Sequence, residues 1–413
     1  MKSQTFTFHF SYFTLRLYLP SFIFKCQAMQ NVYFLLSAIS FFSSYVDAPK
    51  FEAQVLDSNI AIGYGLAIGD VDGDKKPDIL LADKKQFVWY RNGDWKRFIL
   101  VSDLTASDNV CIAARDIDGD GKVEIAVGAQ WNPGETSDTV KSGSVHYLIR
   151  PTDPTQPWKA VELHHEPTIH RMRWVKVSKD KFQLVVLPLH GRGNKDGNGK
   201  GVKVIAYERP TDVNKRWKMY TIDTTMHMTH NMDLVGDGDG EQLRIGGKEG
   251  IRAFRFDGSR WTAPSGKEWQ VKGNGFGELR FDTSNTAGGM LAGIEPMHGN
   301  NLTVYTPGKH DRITLTAGLN QGHALAVADV VGSGLPQVVA GWREPDQQNK
   351  VGVKIFVAQD PTFTKWVDYW IDDNGMACED LQLADLDGDG KKDIIASGRA
   401  SHNLKIYWNK NPK

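Results

Sequence analysis

The chain repeats itself. An acidic loop leading into an apolar run occurs as DVDGDKKPDILLA from Asp70, DIDGDGKVEIAVG from Asp116 and DLDGDGKKDIIAS from Asp385. Weaker copies stand at Asp329 (DVVGSGLPQVVAG) and Leu234 (LVGDGDGEQLRIG). Ahead of the loops, apolar residues alternate with period two, as in a strand: Leu66/Ile68, Ile112/Ala114, Leu325/Val327 and Leu381/Leu383. The same alternation finds Met172/Trp174 before the degenerate loop KVSKDKF, Met232/Leu234, and Leu279/Phe281 before a loop without its acids. These are seven copies, spaced by about 46 to 60 residues, which is the length of one four-stranded propeller blade. The expectation is an all-β, seven-bladed β-propeller of four-stranded blades with acidic, calcium-type loops. Residues 49–413 contain no second repeat type and no Pro/Ser linker, so they read as one domain. FEAQVL near 51 and LKIYWN near 404 are placed to close the ring by sharing a blade.

Residues 1–48 differ from the rest. They are rich in Phe, Leu, Tyr and Ser and carry no acid before Asp47. NVYFLLSAISFFSSYVDA reads as the apolar core of an export signal, with Lys25 as basic flank, Val46 and Ala48 as small residues at the cleavage position, and Met29 as an alternative start. A membrane anchor is the competing reading. The run is short and Ser-rich, which favours export and a secreted protein, and no later segment is apolar enough to span a bilayer. Lys+Arg and Asp+Glu both number 49, which argues against a nucleic-acid binder. With Cys26 in the leader, Cys111 and Cys378 do not make a disulfide scaffold and are expected to be buried and free.

Three loops carry carboxylates at positions 1, 3, 5 and 9: Asp70, Asp72, Asp74, Asp78; Asp116, Asp118, Asp120, Glu124; and Asp385, Asp387, Asp389, Asp393. Acids on alternate positions, with Gly for the tight turn, suit an oxygen cage for Ca²⁺. The alternative is a polar turn without metal. Such a cage would be structural, and none is expected in the degenerate loops.

The opposite face concentrates proton-transfer groups. Each inner strand runs toward its acidic loop, so residues before that strand and after the next one share the far face. Six residues back from each loop stand Tyr64, Val110, His170, His230, Gly277, His323 and Glu379, with His227 as the fallback in the fourth blade. Period-two alternation is expected to line the funnel mouth with them. Trp131, His190, Arg192, Lys248, Glu295, His298, Arg343, Arg399 and His402 stand at the ends of the second strands. Imidazoles transfer protons near neutral pH, and Arg or Lys beside them can stabilise an enolate. This fits β-elimination of a sugar C–O bond, with His170, His190 and His230 as candidate catalytic residues and the remaining polar and aromatic groups binding an anionic or hydroxyl-rich sugar. No Ser-nucleophile motif, phosphate loop or dinucleotide fingerprint is present. A hydrolase using Glu295 and Glu379, and a non-catalytic lectin-like or integrin-like propeller, are the other readings.

The acidic loops between apolar strands resemble FG-GAP (VCBS) repeats of integrin-type propellers. HHEPTIHRMRW, LPLHGRGN, THNMDL, IEPMHGN, GHALAVADV and EDLQLADLDGDG are similar to the propeller domain of fungal aldos-2-ulose dehydratases and single-propeller relatives. L-rhamnose-α-1,4-D-glucuronate lyases run a related chemistry on similar propellers. The resemblance implies a carbon–oxygen lyase acting on a ketosugar or a rhamnose-capped glucuronate, with these histidines as acid/base groups and a divalent metal among them. The cupin-like domain of the dehydratases has no counterpart in this sequence. HHEPTIHRMRW also imitates the zinc-protease motif His-Glu-x-x-His, but His165 and His170 are five apart and Pro167 breaks the helix that motif needs. His165 and Glu166 read either as ligands of a funnel metal or as its outer support.

Overall fold

A computed structural model describes residues 48–264, 271–282, 289–306 and 311–412. The leader and the fifth-blade loop lie outside the described residues. Among those described, the secondary structure is β throughout. Seven sheets follow one another along the chain, each with four strands in sequence order except the fourth, where a fifth short strand pairs with the third, and the seventh, whose outer strand is the first of the described strands. The innermost strands are Gly65–Gly69, Cys111–Arg115, Ile169–Ser178, Thr229–Asp237, Glu278–Asp282, Gly322–Ala328 and Cys378–Ala384. Phe51–Asp57 pairs antiparallel with Asn403–Asn409, so the chain's two ends complete the seventh blade as anticipated.

The hydrophobic core lies between blades. It separates into seven clusters, each shared by neighbouring blades. One joins Leu66, Leu81 and Tyr90 of the first blade to Ile395 and Ile406 of the last, which closes the ring through side-chain packing. Cys111 and Cys378 are buried and free.

The loops differ in kind. In the third blade Ser178 pairs with Lys181, and in the fourth Asp237 pairs with Gly240, so the long acidic loop is replaced by a two-residue hairpin. Asp180 (φ 56°) and Gly238 (φ 61°) supply the positive φ such turns require. In the sixth blade Gln337 replaces the ninth-position acid. Its Oε1 accepts from the Val330 and Val331 amides, as Asp78 accepts from Val71 and Asn92. The ninth position therefore needs an acceptor to close the loop, and a charge only if a cation is held.

Candidate active site

Four imidazoles meet at the ends of the inner strands away from the acidic loops. Ring centroids are 4.6 Å apart for His170–His230, 4.6 Å for His230–His298, 5.3 Å for His230–His323 and 5.0 Å for His298–His323. One ligating nitrogen each of His230, His298 and His323 falls within 4.8 Å of the others. Trp131 stacks on His170 at 5.0 Å.

The local cause is a β-bulge repeated in four blades. The register shifts between Ile169 and Arg171, Thr229 and Asn231, Gly322 and Ala324, and Cys378 and Asp380. The extra residues are His170, His230, His323 and Glu379. A bulge re-aims its side chain and breaks the period-two alternation. Strict alternation would have put His170 on the same side as Met172, which is fully buried in the core. His170, His230 and His323 thus meet through bulges and not through period-two alternation.

The fifth blade contributes differently. Gly277 holds the equivalent position, and a Cβ there would lie 3.0 Å from the His298 amide nitrogen. That space admits the loop after Met290–Glu295, whose turn is closed by the Gly299 N–H donating to Pro296 O at 2.7 Å. Gly299 itself has no room for a Cβ, which would sit 2.4 Å from the Glu295 carbonyl. His298 takes φ 52°, sparsely populated for a side-chain-bearing residue, and its ring lies 4.6 Å from that of His230.

Hydrogen bonds fix the tautomers. His230 Nδ1 lies 2.6 Å from Gly277 O, and His323 Nδ1 lies 2.6 Å from Glu379 O. A carbonyl can only accept, so both Nδ1 atoms carry the proton and both Nε2 atoms present lone pairs. His230 Nε2 faces His298 Nε2 at 2.7 Å. His170 makes no hydrogen bond with either buried nitrogen among the described residues. Burial, then neighbouring cations and imidazoles, hold His170, His230 and His323 well below the ordinary histidine range, and His298 is lowered to about 4 by burial and then Arg343, Arg171 and Arg399. All four are neutral at pH 7.

Beside them, Glu379 receives Arg343 Nη1 at 3.4 Å and Arg399 Nη1 at 3.1 Å. Two cations share one carboxylate that is 2% exposed, leaving one positive charge in excess. Arg399 lies 5.4 Å over the Tyr64 ring, and Tyr64 donates to Asp108 at 3.0 Å.

Other candidates stand apart. Glu295 accepts from Thr303 at 2.8 Å, Tyr305 at 2.6 Å and both Arg312 Nε (2.9 Å) and Nη2 (2.8 Å), so its carboxylate is consumed within its own blade rather than offered to the funnel. The carboxylate pair of the hydrolase reading is thereby lost. Arg192 and Lys203 hold Glu166 at 2.7 and 3.3 Å, which keeps Glu166 from being a ligand. His165 Nδ1 is 3.2 Å from Glu166 O. Lys248 donates to Asp196 O. His402 faces the Ile60 and Ala61 carbonyls. His190 bridges Met228 through its backbone, and the charged group that acts on it is Asp196, not the cluster. His227, the fallback, pairs with Glu249 at 2.8 Å.

Sequence reasoning missed Arg171, whose charge acts on all four histidines. It belongs to a charged network contributed by the inner strands of four blades: Arg171, Arg173, Asp233, Glu278, Arg280 and Asp380. Glu278 Oε1 lies 3.7 Å from His230 Nδ1. The available signal was charge at period two inside strands that should be apolar.

In the acidic loops, positions 1, 3 and 9 converge, with ligating oxygens within 4.8 Å: Asp70, Asp72, Asp78; Asp116, Asp118, Glu124; and Asp385, Asp387, Asp393. The fifth-position acids turn to lysines instead, Asp120 to Lys122 at 3.0 Å and Asp389 to Lys391 at 2.8 Å. Burial raises Asp78 and Glu124 to about 7.

The aldos-2-ulose dehydratase β-propeller domain family matches residues 142–308, which include His170, His230 and His298, and the FG-GAP-like repeat family matches residues 70–127. Aldos-2-ulose dehydratase of Phanerodontia chrysosporium is 23% identical over 283 residues, covering 63% of this chain and 30% of the relative. The chain thus spans about a third of that enzyme's length. Among solved structures, a chain of the mitotic checkpoint complex aligns with TM-score 0.55 and 12% identity, over 88% of this chain and 95% of that one. The extracellular domain of the one-component system BT4673 from B. thetaiotaomicron aligns with TM-score 0.50 and 12% identity, over 86% and 39%. At such identity these two structures establish the fold alone.

Proposed function

Proceeding from the similarity to the aldos-2-ulose dehydratase propeller, we propose that this chain is a secreted carbon–oxygen lyase that acts on a carbohydrate by β-elimination. The observation that carries the reading is the pair of lone-pair-bearing Nε2 atoms of His230 and His323, each oriented by a backbone carbonyl toward His298. His230 Nε2 offers a lone pair 2.7 Å from His298 Nε2, which His298 satisfies by donating when its proton is on Nε2 and which a cation beside the three rings would satisfy when it is not. The donor set suits an imidazole-preferring divalent metal such as zinc. His230, His298 and His323 would hold it, and when bound it would act as a Lewis acid that polarises a sugar carbonyl or carboxylate.

The chain's own groups do the rest. His170, neutral and without a hydrogen-bond partner, accepts the proton from the carbon next to the sugar carbonyl or carboxylate. The electron pair so released forms the C=C bond as the β C–O bond breaks and its oxygen leaves to take up a proton. Trp131 holds the His170 ring and offers an edge for sugar packing. Arg343 and Arg399 bring excess positive charge to the oxygen on which negative charge develops. The Glu379 carboxylate keeps both guanidiniums in place. In the three complete acidic loops, Ca²⁺ would neutralise the clustered carboxylates and stiffen the hairpins.

The test is turnover. Purified protein supplied with zinc should convert an anhydroketosugar or a rhamnose-capped glucuronate to an unsaturated product with new ultraviolet absorbance. Saturable sugar binding without any product would replace the lyase by a lectin-like propeller.

A further inference from the structure

A cavity lies on the acidic-loop face, between the second and third blades. It encloses about 280 Å³, lined by Asp118, Asp120, Tyr147, Arg150, Trp158 and Arg209 among others. Arg150 follows the third strand of its blade, Ser144–Ile149, and Arg209 follows the equivalent strand Val204–Glu208. The two arginines therefore approach one cleft from adjacent blades.

Both guanidiniums are held but not saturated: Arg150 Nη2 donates to the Val123 carbonyl at 2.5 Å, and its remaining N–H groups are less well met. Arg150 lies 5.3 Å over Trp158, and Arg209 lies 5.5 Å over Tyr147. Arg150 Nη1 is 3.7 Å from Asp120, and Arg209 Nη1 is 4.0 Å from Asp118, both longer than a hydrogen bond. The Nε of each is buried and has no hydrogen-bond partner. Buried donors left unmet are uncommon and costly. The other two complete loops lack this arrangement: Arg91 is taken by Asp94 through two nitrogens, and Lys391 by Asp389 and Asn411 O.

We propose that this cleft binds an oxyanion, the carboxylate or sulfate of an acidic glycan, through Arg150 and Arg209. Guanidinium forks match such groups with paired hydrogen bonds, and the aromatic faces keep the forks oriented. Asp118 belongs both to the cleft and to the Asp116–Asp118–Glu124 oxygen cluster. A divalent cation in that cluster would draw on the Asp118 charge and free Arg209 for the ligand. Cation and oxyanion then strengthen each other's binding, as linkage requires. The arginine site does not depend on the lyase reading, and only its calcium response depends on the loop reading.

The full chain is titrated with inorganic sulfate, glucuronate and glucuronate methyl ester, with calcium or with a chelator. Calorimetry measures affinity, and NMR follows the arginine Nε–H signals. The acids should bind saturably and shift the Arg150 and Arg209 signals, the ester should not bind, and calcium should tighten binding. Sulfate alone binding would make the site a sulfate site, and glucuronate alone a carboxylate site; either supports it. Arg209→Gln, or Arg150→Gln with Arg209→Gln, should weaken binding by about tenfold or more with the thermal melt intact. Arg343→Gln should leave this binding unchanged. Unmoved Nε–H signals, or loss in the Arg343 variant but not in the double variant, would overturn the proposal.

Discussion

His230 Nε2 faces His298 Nε2 at 2.7 Å, although 68 residues separate them in the chain. One comes from a bulge at the start of an inner strand. The other comes from a tight turn in the next blade, over a glycine. Their meeting is the strongest sign that this end of the propeller is built to hold something electron-poor.

If that ligand is a metal, His230→Ala or His323→Ala should lower metal affinity by about 100-fold and abolish formation of the unsaturated product. His190→Ala should leave the metal content intact. Elemental analysis after dialysis, read beside ultraviolet absorbance, checks both. Full metal retention in both cluster variants would remove the three-histidine site.

Glu379 is 2% exposed and faces two arginines. Glu379→Ala leaves both cations without their anion and should cost about 3 kcal/mol in urea unfolding, the lower end for a broken buried pair because Arg399 is partly solvated. A loss below about 1 kcal/mol would mean that the pair is not positioned by this carboxylate.

Glu295→Gln should destabilise the protein by about 2 kcal/mol, because Arg312, Thr303 and Tyr305 lose their charged acceptor. Turnover per folded molecule should stay near the original rate. A large fall in kcat at unchanged stability would return Glu295 to the reaction and revive the hydrolase reading.

Acid sensitivity has an identifiable source away from either metal candidate. His146 is lowered to about 4 by burial first, with Glu162 raising it and His165 lowering it. The unfolded chain takes up its proton near the ordinary value of about 6.5, so the folded state binds fewer protons below that pH. Its contribution is fully present above that value and is lost progressively toward pH 4, amounting to about 3 kcal/mol. Thermal melts of His146→Gln across that range should fall less steeply than those of the unsubstituted chain. Parallel curves would refute the assignment.

The loops predict a calcium response. A chelator should lower the melting temperature, and Asp385→Asn, which keeps an acceptor for only one of the Gly388 and Gly390 amides and removes the charge, should blunt the response. An unchanged melt with and without calcium would leave these loops as polar turns.

The sequence by itself determined the ring. Seven strand-and-loop copies, the closing pair of end strands and the acid-bearing loops all follow from local periodicity, because a strand's alternation and a tight turn's glycine are written within a dozen residues. It also named His170, His230, His298 and His323, since equivalent places in a repeat project to equivalent places in space. Tertiary structure decided which polar residues actually converge. The four bulges that re-aim His170, His230, His323 and Glu379 arise from pairing with the neighbouring strand, and no period reveals them. Glu295 and Arg192 have the right residue types at the right strand ends, yet Arg312 and Glu166 claim them. Arg171 looked like part of a strand, and only the closed ring brings its charge beneath the histidines. A charge's role depends on which partner reaches it first, and that is settled across blades.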